Sequence, residues 1–217
     1  MTKIKKYVLT GGPGVGKSTL IPLLGASGIY TLDEVATYII ERESAKKSDI
    51  LPWKNKNKFQ KAVLELQLEW ESKPVEYNTK PWRTRDIETV VQDRGILDGI
   101  AYYLIDGEQP PQELLEAART ADYAGVFILE PVKYKRTETR REDQERAKRL
   151  HEKIREVYES FGYRPITIPA VSPEERAERI LQYITNFNAK QNEHDAMKQS
   201  TEEKQNDRTK NKTKFRI

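Results

Sequence analysis

The 217-residue chain contains no cysteine, which excludes a disulfide framework, thiolate chemistry and every cysteine-based metal site. It also lacks any run of 18 apolar residues, so it offers no candidate for a helix that crosses a bilayer. No apolar stretch of the kind a secretory leader needs follows the opening "MTKIKKYVLT", and the expectation is a soluble, cytoplasmic protein. No internal repeat is found. Apolar residues are scarce, at 36%, and charged residues plentiful, at 33%; both depart from the averages for globular chains.

The scarcity is concentrated at the carboxyl end. From Asn188 to Ile217, eight Lys and Arg stand against five Asp and Glu, and only Ala189, Ala196, Met197, Phe215 and Ile217 are apolar. Such a segment buries too little surface to offset its ordering entropy, so a disordered or frayed helical tail is expected. It carries +3 of the formal net charge of +4. Residues 1–187 are therefore near neutral, which argues against a nucleic-acid enzyme and leaves RNA or membrane contact to the basic tail alone. The length suits one well-buried domain, expected over 1–187, with a charged tail over 188–217.

Short β-rich runs alternate with amphipathic helical runs, the pattern of an α/β fold with a parallel sheet covered by helices. Strands are expected at Tyr7–Thr10, Gly28–Leu32, Thr89–Asp93, Tyr123–Leu129 and Arg164–Pro169. Between them, Phe59, Val63, Leu66 and Trp70 recur at helical spacing, as do Ala147, Leu150, Ile154, Val157 and Phe161; both stripes read as core faces. "SPEE" announces a last helix, with an N-cap at Ser172, proline at the first helical position and a capping-box glutamate at Glu175.

The first strand runs into "GGPGVGKST", Gly11 to Thr19, which fits G-x-x-x-x-G-K-[ST]. Gly11, Gly12, Gly14 and Gly16 permit positive φ and close approach, so that the backbone N–H groups of the loop, which also spans Val15 and Pro13 (the latter without an N–H of its own), turn around an anion. Lys17 supplies a compact charge for the β and γ phosphates, and Ser18 a hydroxyl for Mg²⁺. The helix that starts at Lys17 adds its positive dipole end, although Pro22 removes a hydrogen bond from its second turn. A nucleoside triphosphate with Mg²⁺ is the expected ligand.

Asp93 closes the strand "TVVQD" and is the candidate to hold Mg²⁺ with Ser18; the alternative is an N-cap for the helix beginning near Gly95. "DRGILDGIAYY" places Asp98 and Tyr102 on one helical face, with Arg94 beside Asp93. Asp98 either caps and pairs or lines the pocket. Asp33 and Glu34 follow the second strand at the sheet edge where ligands of open α/β folds sit. Glu34 is favoured for the phosphoryl acceptor, whose hydroxyl proton a carboxylate can take; the alternative is that both residues serve the next helix as cap and dipole partner.

The segment Lys133–Glu156 is dense in both signs. Glu142 to Arg146 and Glu145 to Arg149 are i,i+4 pairs of a solvated helix, whereas Lys133, Arg136 and Arg140 share a face balanced only by Asp143. That face suits an anion, so a lid is expected in which Arg136, Arg140 or Arg141 neutralises charge on the transferring phosphoryl group. His151 reads as a surface histidine of the helix.

Together "GGPGVGKST", "DEVA", "DRGILDGIAY", the arginine-rich segment before "YESFGY" and "IPAVSPEERAERIL" resemble the small P-loop ATPases filed under AAA domains. Those are similar to the nicotinamide riboside kinase domain and, more distantly, to nucleoside and nucleotide kinases. The resemblance implies a P-loop NTPase fold with a five-stranded parallel sheet, helices on both faces, an arginine-rich lid, and ATP and Mg²⁺ as ligands. It maps the metal aspartate to Asp93 and the acceptor carboxylate to Glu34. Relatives often carry an arginine three positions after that glutamate, where this chain has Thr37.

The expected activity is an ATP-dependent phosphotransferase acting on a small hydroxyl-bearing, nucleoside-like acceptor. The alternative is an ATPase or GTPase with a regulatory or partner-binding role. Guanine selectivity usually shows as N-K-x-D, and the nearest stretch, Asn55 to Lys58, ends in lysine, which favours ATP. Acceptor-pocket aromatics are sought among Trp53, Trp82, Tyr38 and Tyr103.

Overall fold

"KKYVLT" forms the strand β1 (Lys5–Thr10), whose last four residues are fully enclosed. A continuous buried run without polar alternation belongs to a strand covered on both faces, and β1 is the centre of the sheet. This computed structural model describes residues 4–73, 88–132 and 141–190. The elements run β1, α1 (Lys17–Ala26), β2 (Tyr30–Leu32), α2 (Val35–Ala45), α3 (Lys56–Ser72), β3 (Thr89–Asp93), α4 (Ile96–Leu104), α5 (Gln112–Thr120), β4 (Gly125–Leu129), α6 (Arg141–Ser160) and β5 (Ile166–Ile168). A last helix, α7, covers 173–190.

All five strands pair in parallel, in the order β2-β3-β1-β4-β5. From β1 the chain leaves toward β2 on one side, and from β3 it leaves toward β4 on the other. The carboxyl ends of β1 and β3, where Leu9 stands opposite Asp93, therefore open a crevice at a topological switch point.

Alternate residues of β1 face opposite sides of the sheet. Val8 joins a core built with Leu97 and Ile100 of α4, Leu114 of α5 and Leu150, Ile154 and Val157 of α6. Tyr7 points the other way and stacks on Phe127, ring centroids 5.9 Å apart. A second core gathers Leu32, Val35, Ile39, Phe59, Trp70 and Val90. Both expected helical stripes face cores, with Val63, Leu66 and Phe161 partly buried and Ala147 in neither cluster.

The strand limits differ from expectation at the ends. β2 starts at Tyr30 because Gly28, at φ 91°, still belongs to the turn leaving α1. β4 and β5 are each shorter than their apolar runs, and β1 begins two residues earlier, since Lys5 and Lys6 pair with Thr89 and Val90. α1 continues through Pro22 to Ala26. The Ser172 hydroxyl accepts from Glu175 N at 3.2 Å, so the start of α7 matches its capping signal.

The chain divides into two compact units, Met1–Ala177 and Glu178–Ile217. In the second, the described residues 178–190 are helical, and Tyr183 stacks on Phe187. No helix among the described residues is long and apolar enough to cross a membrane.

Candidate active site

Thr10 ends β1, and the chain turns through 11–16 into α1. Gly11, Gly14 and Gly16 hold φ of 135°, 75° and 99°, values that a side-chain-bearing residue adopts only at a cost. Gly16 is the N-cap of α1 and brings no capping side chain, which leaves the first N–H groups of the helix for an anion. Lys17 is buried, with Nζ donating to Gly11 O and Gly12 O at 3.2 Å each. Burial, and then the nearby Arg94 charge, lower its pKa to about 8 against the opposing pull of Asp93, Glu34 and Asp98. Val15 is buried behind the loop, whereas Pro13, Gly14, Ser18 and Thr19 are exposed.

Asp93 sits at the end of β3, 6% exposed, and its Oδ1 is buried with no hydrogen-bond partner among the described residues. Burial raises its pKa to about 7, the Glu34 and Asp98 charges adding to the rise while Lys17 and Arg94 oppose it. The cap that Asp93 was alternatively expected to give α4 comes from Asp98, whose Oδ2 accepts from Gly95 N at 3.1 Å. An orphaned carboxylate oxygen at the end of β3, on the strand next to the one that leads into the phosphate loop, fits a hard cation. Among the described residues no cluster of three or more ligating side chains exists.

Arg94 holds the site together. Its backbone lies in the left-handed region at φ 69°, which turns the side chain back across the crevice. Nε donates to Glu34 Oε1 at 2.5 Å, and Nη1 to Asp98 Oδ1 at 3.1 Å and Gly11 O at 3.3 Å. The guanidinium also lies 5.4 Å from the centre of the Tyr102 ring. One side chain thus links the phosphate loop, α2 and α4. Burial alone would raise the pKa of Glu34, but the Arg94 charge and hydrogen bond, with the Thr37 hydroxyl at 2.7 Å, hold it below the ordinary value. Glu34 is the N-cap residue of α2 by position, yet its carboxylate makes no cap, and Asp33 is exposed.

Asp98 does both things expected of it in the alternative: it lines the pocket and it is fully tied. It accepts from Thr10 Oγ1 at 2.5 Å and from Tyr158 Oη at 2.8 Å, besides Arg94 and Gly95. A second buried carboxylate, Glu71 of α3, accepts from Tyr123 Oη (2.8 Å), Gln92 Nε2 (2.8 Å), Gln67 Nε2 (3.0 Å) and Lys6 Nζ (3.1 Å). Tyr123 in turn accepts from Ile96 N, and Gln92 donates to Arg94 O. The turn 93–96 is therefore gripped from both sides. Glu71, Tyr123 and Tyr158 carry no local motif, and sequence reading does not find them.

His151 is not a surface residue. It is 7% exposed, and Nδ1 accepts from Gly12 N of the phosphate loop at 3.3 Å. Charge alternation on α6 suggested a solvated face; the turn carrying His151 instead packs against the loop, where a Cβ on Gly12 would lie 2.8 Å from Ala147 O. Arg176, 2% exposed, supports the loop from another direction, donating to Val15 O (2.7 Å), Glu130 O (2.8 Å) and Pro169 O (2.9 Å).

A cavity of about 990 Å³ opens beside these groups. Glu34, Asp93, Arg94 and Asp98 line one part of it, and Phe59, Val63, Leu64, Ile96, Tyr102 and Leu114 form apolar walls. Of the aromatics sought for an acceptor, Tyr103 lines this cavity. Tyr38 instead packs edge-on to Trp70, and Trp53 is 67% exposed. Trp82, Arg136 and Arg140 lie outside the described residues, and Arg141 opens α6. The stretch Asn55 to Lys58 is a helix start: Asn55 Oδ1 accepts from Lys58 N at 3.0 Å. Arg146 and Asp106, which both line the cavity, pair at 2.8 Å.

Strand order, glycine loop and flanking carboxylate define a P-loop protein of kinase-like fold. The chain belongs to the AAA domain family, whose model matches residues 6–176. Among solved structures it is similar to thymidylate kinase from Ehrlichia chaffeensis, at 14% identity and TM-score 0.57 over 83% of this chain and 98% of that one. It is also similar to the NadR protein solved in complex with NR, at 17% identity and TM-score 0.56 over 76% of this chain and 44% of that one. Shikimate kinase from Aquifex aeolicus matches at 21% identity and TM-score 0.49, over 85% and 98% of the two chains. At these identities the likeness is one of fold. No curated protein matches the chain.

Proposed function

We propose that the chain is a Mg²⁺-dependent phosphotransferase that moves the γ-phosphoryl group of ATP to a hydroxyl of a small acceptor held in the cavity. The observation that carries this reading is the shared floor: Glu34 and Asp93 both line the cavity, and both act electrostatically on Lys17 of the phosphate loop. A hydrolase needs the loop and the metal carboxylate but has no use for a large apolar-walled cavity ending at a second carboxylate.

Residues Gly11 to Thr19 cradle the triphosphate, with Lys17 on its terminal phosphates. Ser18 and Asp93 would hold Mg²⁺, which neutralises charge on the phosphate oxygens when bound. Glu34 accepts a hydrogen bond from the acceptor hydroxyl and takes its proton as the new oxygen–phosphorus bond forms. The bond from the γ-phosphorus to its bridging oxygen breaks, and ADP departs. Because Arg94 holds Glu34 in its ionised form, the carboxylate is ready for this role at neutral pH. Arg136, Arg140 and Arg141 are assigned to the lid that neutralises the transferring group.

Incubation with γ-labelled ATP, Mg²⁺ and a panel of nucleosides, vitamins and sugars tests the proposal. Label on one acceptor is expected; label released only as inorganic phosphate across the panel supports the hydrolase alternative. Lys17→Ala is expected to lower turnover about 10²–10³-fold, and unchanged turnover rejects the mechanism.

A further inference from the structure

The cavity carries a charge pattern that selects its occupant. Asp93 aside, its described lining holds five carboxylates, Glu34, Asp98, Asp106, Glu108 and Glu113, against four cations. Each of those cations already faces a carboxylate. Arg94 is shared by Glu34 and Asp98. Lys56 contacts Asp106 at 2.7 Å and Glu108 at 2.9 Å, and lies 5.1 Å from the centre of the Tyr103 ring. Arg146 contacts Asp106 at 2.8 Å, and Lys61 stands 3.9 Å from Glu65.

Among the described residues, an anionic group entering this space reaches a cation only by competing with a carboxylate already facing it, and then sits among the acids left over. Each step opposes binding, and the low-dielectric apolar walls increase the penalty. A neutral ring meets neither obstacle, and a cationic one gains from the acidic excess and from the faces of Tyr102 and Tyr103.

We infer that the cavity is built for an uncharged or cationic ring compound and discriminates against acidic ones such as phosphate esters and carboxylates. This rests on the reading of the cavity as the acceptor site. The selectivity itself can be measured without ATP, so its failure is distinguishable from failure of the kinase reading.

Three probes sharing one ring test it on the full chain: tyramine as the cation, tyrosol as the neutral alcohol and 4-hydroxyphenylacetate as the anion, titrated by ligand-detected NMR at neutral pH and low salt. Tyramine and tyrosol are expected to bind at least about tenfold more tightly than the acid. Glu108→Gln, which frees Lys56 from one of its two partners, is expected to narrow that gap by strengthening the acid. Leu64→Trp, which fills the cavity from its apolar wall, is expected to abolish binding of all three. Equal or tighter binding of the acid overturns the inference, as does binding that survives Leu64→Trp or the absence of binding by any probe. If the labelled-ATP assay finds transfer to an acidic acceptor, the kinase reading stands and this one falls.

Discussion

Asp93 and Lys17 both titrate near neutrality in the ligand-free chain, the first pushed up to about 7 and the second down to about 8. A metal needs the carboxylate ionised. Affinity for Mg²⁺ and ATP together is therefore expected to rise between about pH 6 and pH 7.5 as Asp93 loses its proton, and to fall above about pH 8 as Lys17 loses its own. Calorimetric titrations at both ends of that range check this, and in Asp93→Asn the rise should vanish. The same shift sets a stability trend: the native chain keeps the Asp93 proton that the unfolded chain gives up. Stability without ligand should thus fall as pH rises from about 4 to about 7, a fall that Asp93→Asn removes. His151 behaves in the opposite sense. Burial holds its pKa below the usual histidine value against the pull of Glu130, with Arg155, Glu152 and Lys17 also near, and Nδ1 must stay unprotonated to accept from Gly12 N. Its contribution is lost as pH falls below about 6.5, where the unfolded chain takes up the proton first. His151→Asn, which offers an amide oxygen near the Nδ1 position, should keep nucleotide affinity and flatten this acid limb. His151→Ala should lower stability by about 1–3 kcal/mol, since the buried Gly12 N–H is left unpaired, which a urea midpoint reads.

At the scale of elements, the turn joining β3 to α4 is the most constrained part of the site. A Cβ at Gly95 would lie 2.6 Å from Tyr158 Oη and 3.0 Å from both Tyr123 Oη and Val8 Cγ2. These are the hydroxyls that satisfy Asp98 and Glu71. Gly95→Ala is therefore expected to cost about 1–3 kcal/mol by overpacking and to weaken nucleotide binding, because Arg94 rides on the same turn. An unchanged urea midpoint with unchanged affinity would contradict this account of the turn. The elements were legible where a local pattern carries them: the glycine spacing for the loop, the 3–4 stripes for α3 and α6, and the SPEE cap for α7. Their ends were less so, as with Gly28, because an apolar run does not reveal where pairing with a neighbouring strand stops.

For the molecule as a whole, sequence reading reached what is contiguous and missed what the fold brings together. Asp93 and Glu34 could be named because one ends β3 and the other follows β2 by two residues, at the same sheet edge. The bridge between them could not, since it depends on Arg94 adopting a left-handed backbone and reaching Gly11, 83 residues away. The link from His151 to Gly12 spans 139 residues and that from Arg176 to Val15 spans 161. Neither histidine nor arginine at those positions announces a contact of that range, and the charge alternation of α6 pointed His151 outward. The cavity was illegible for a similar reason: its walls come from α2, α3, α4 and α5, and nothing in one sequence separates Tyr103, which lines it, from Tyr38, which does not. The proposed function requires that the loop from Gly11 to Thr19 grip a triphosphate beside a metal held at Ser18 and Asp93. Isothermal titration of the full chain with ATP, in the presence and absence of Mg²⁺, tests it most directly. Saturable one-to-one binding that strengthens with Mg²⁺ is the result expected; no heat with any purine triphosphate under either condition would contradict it.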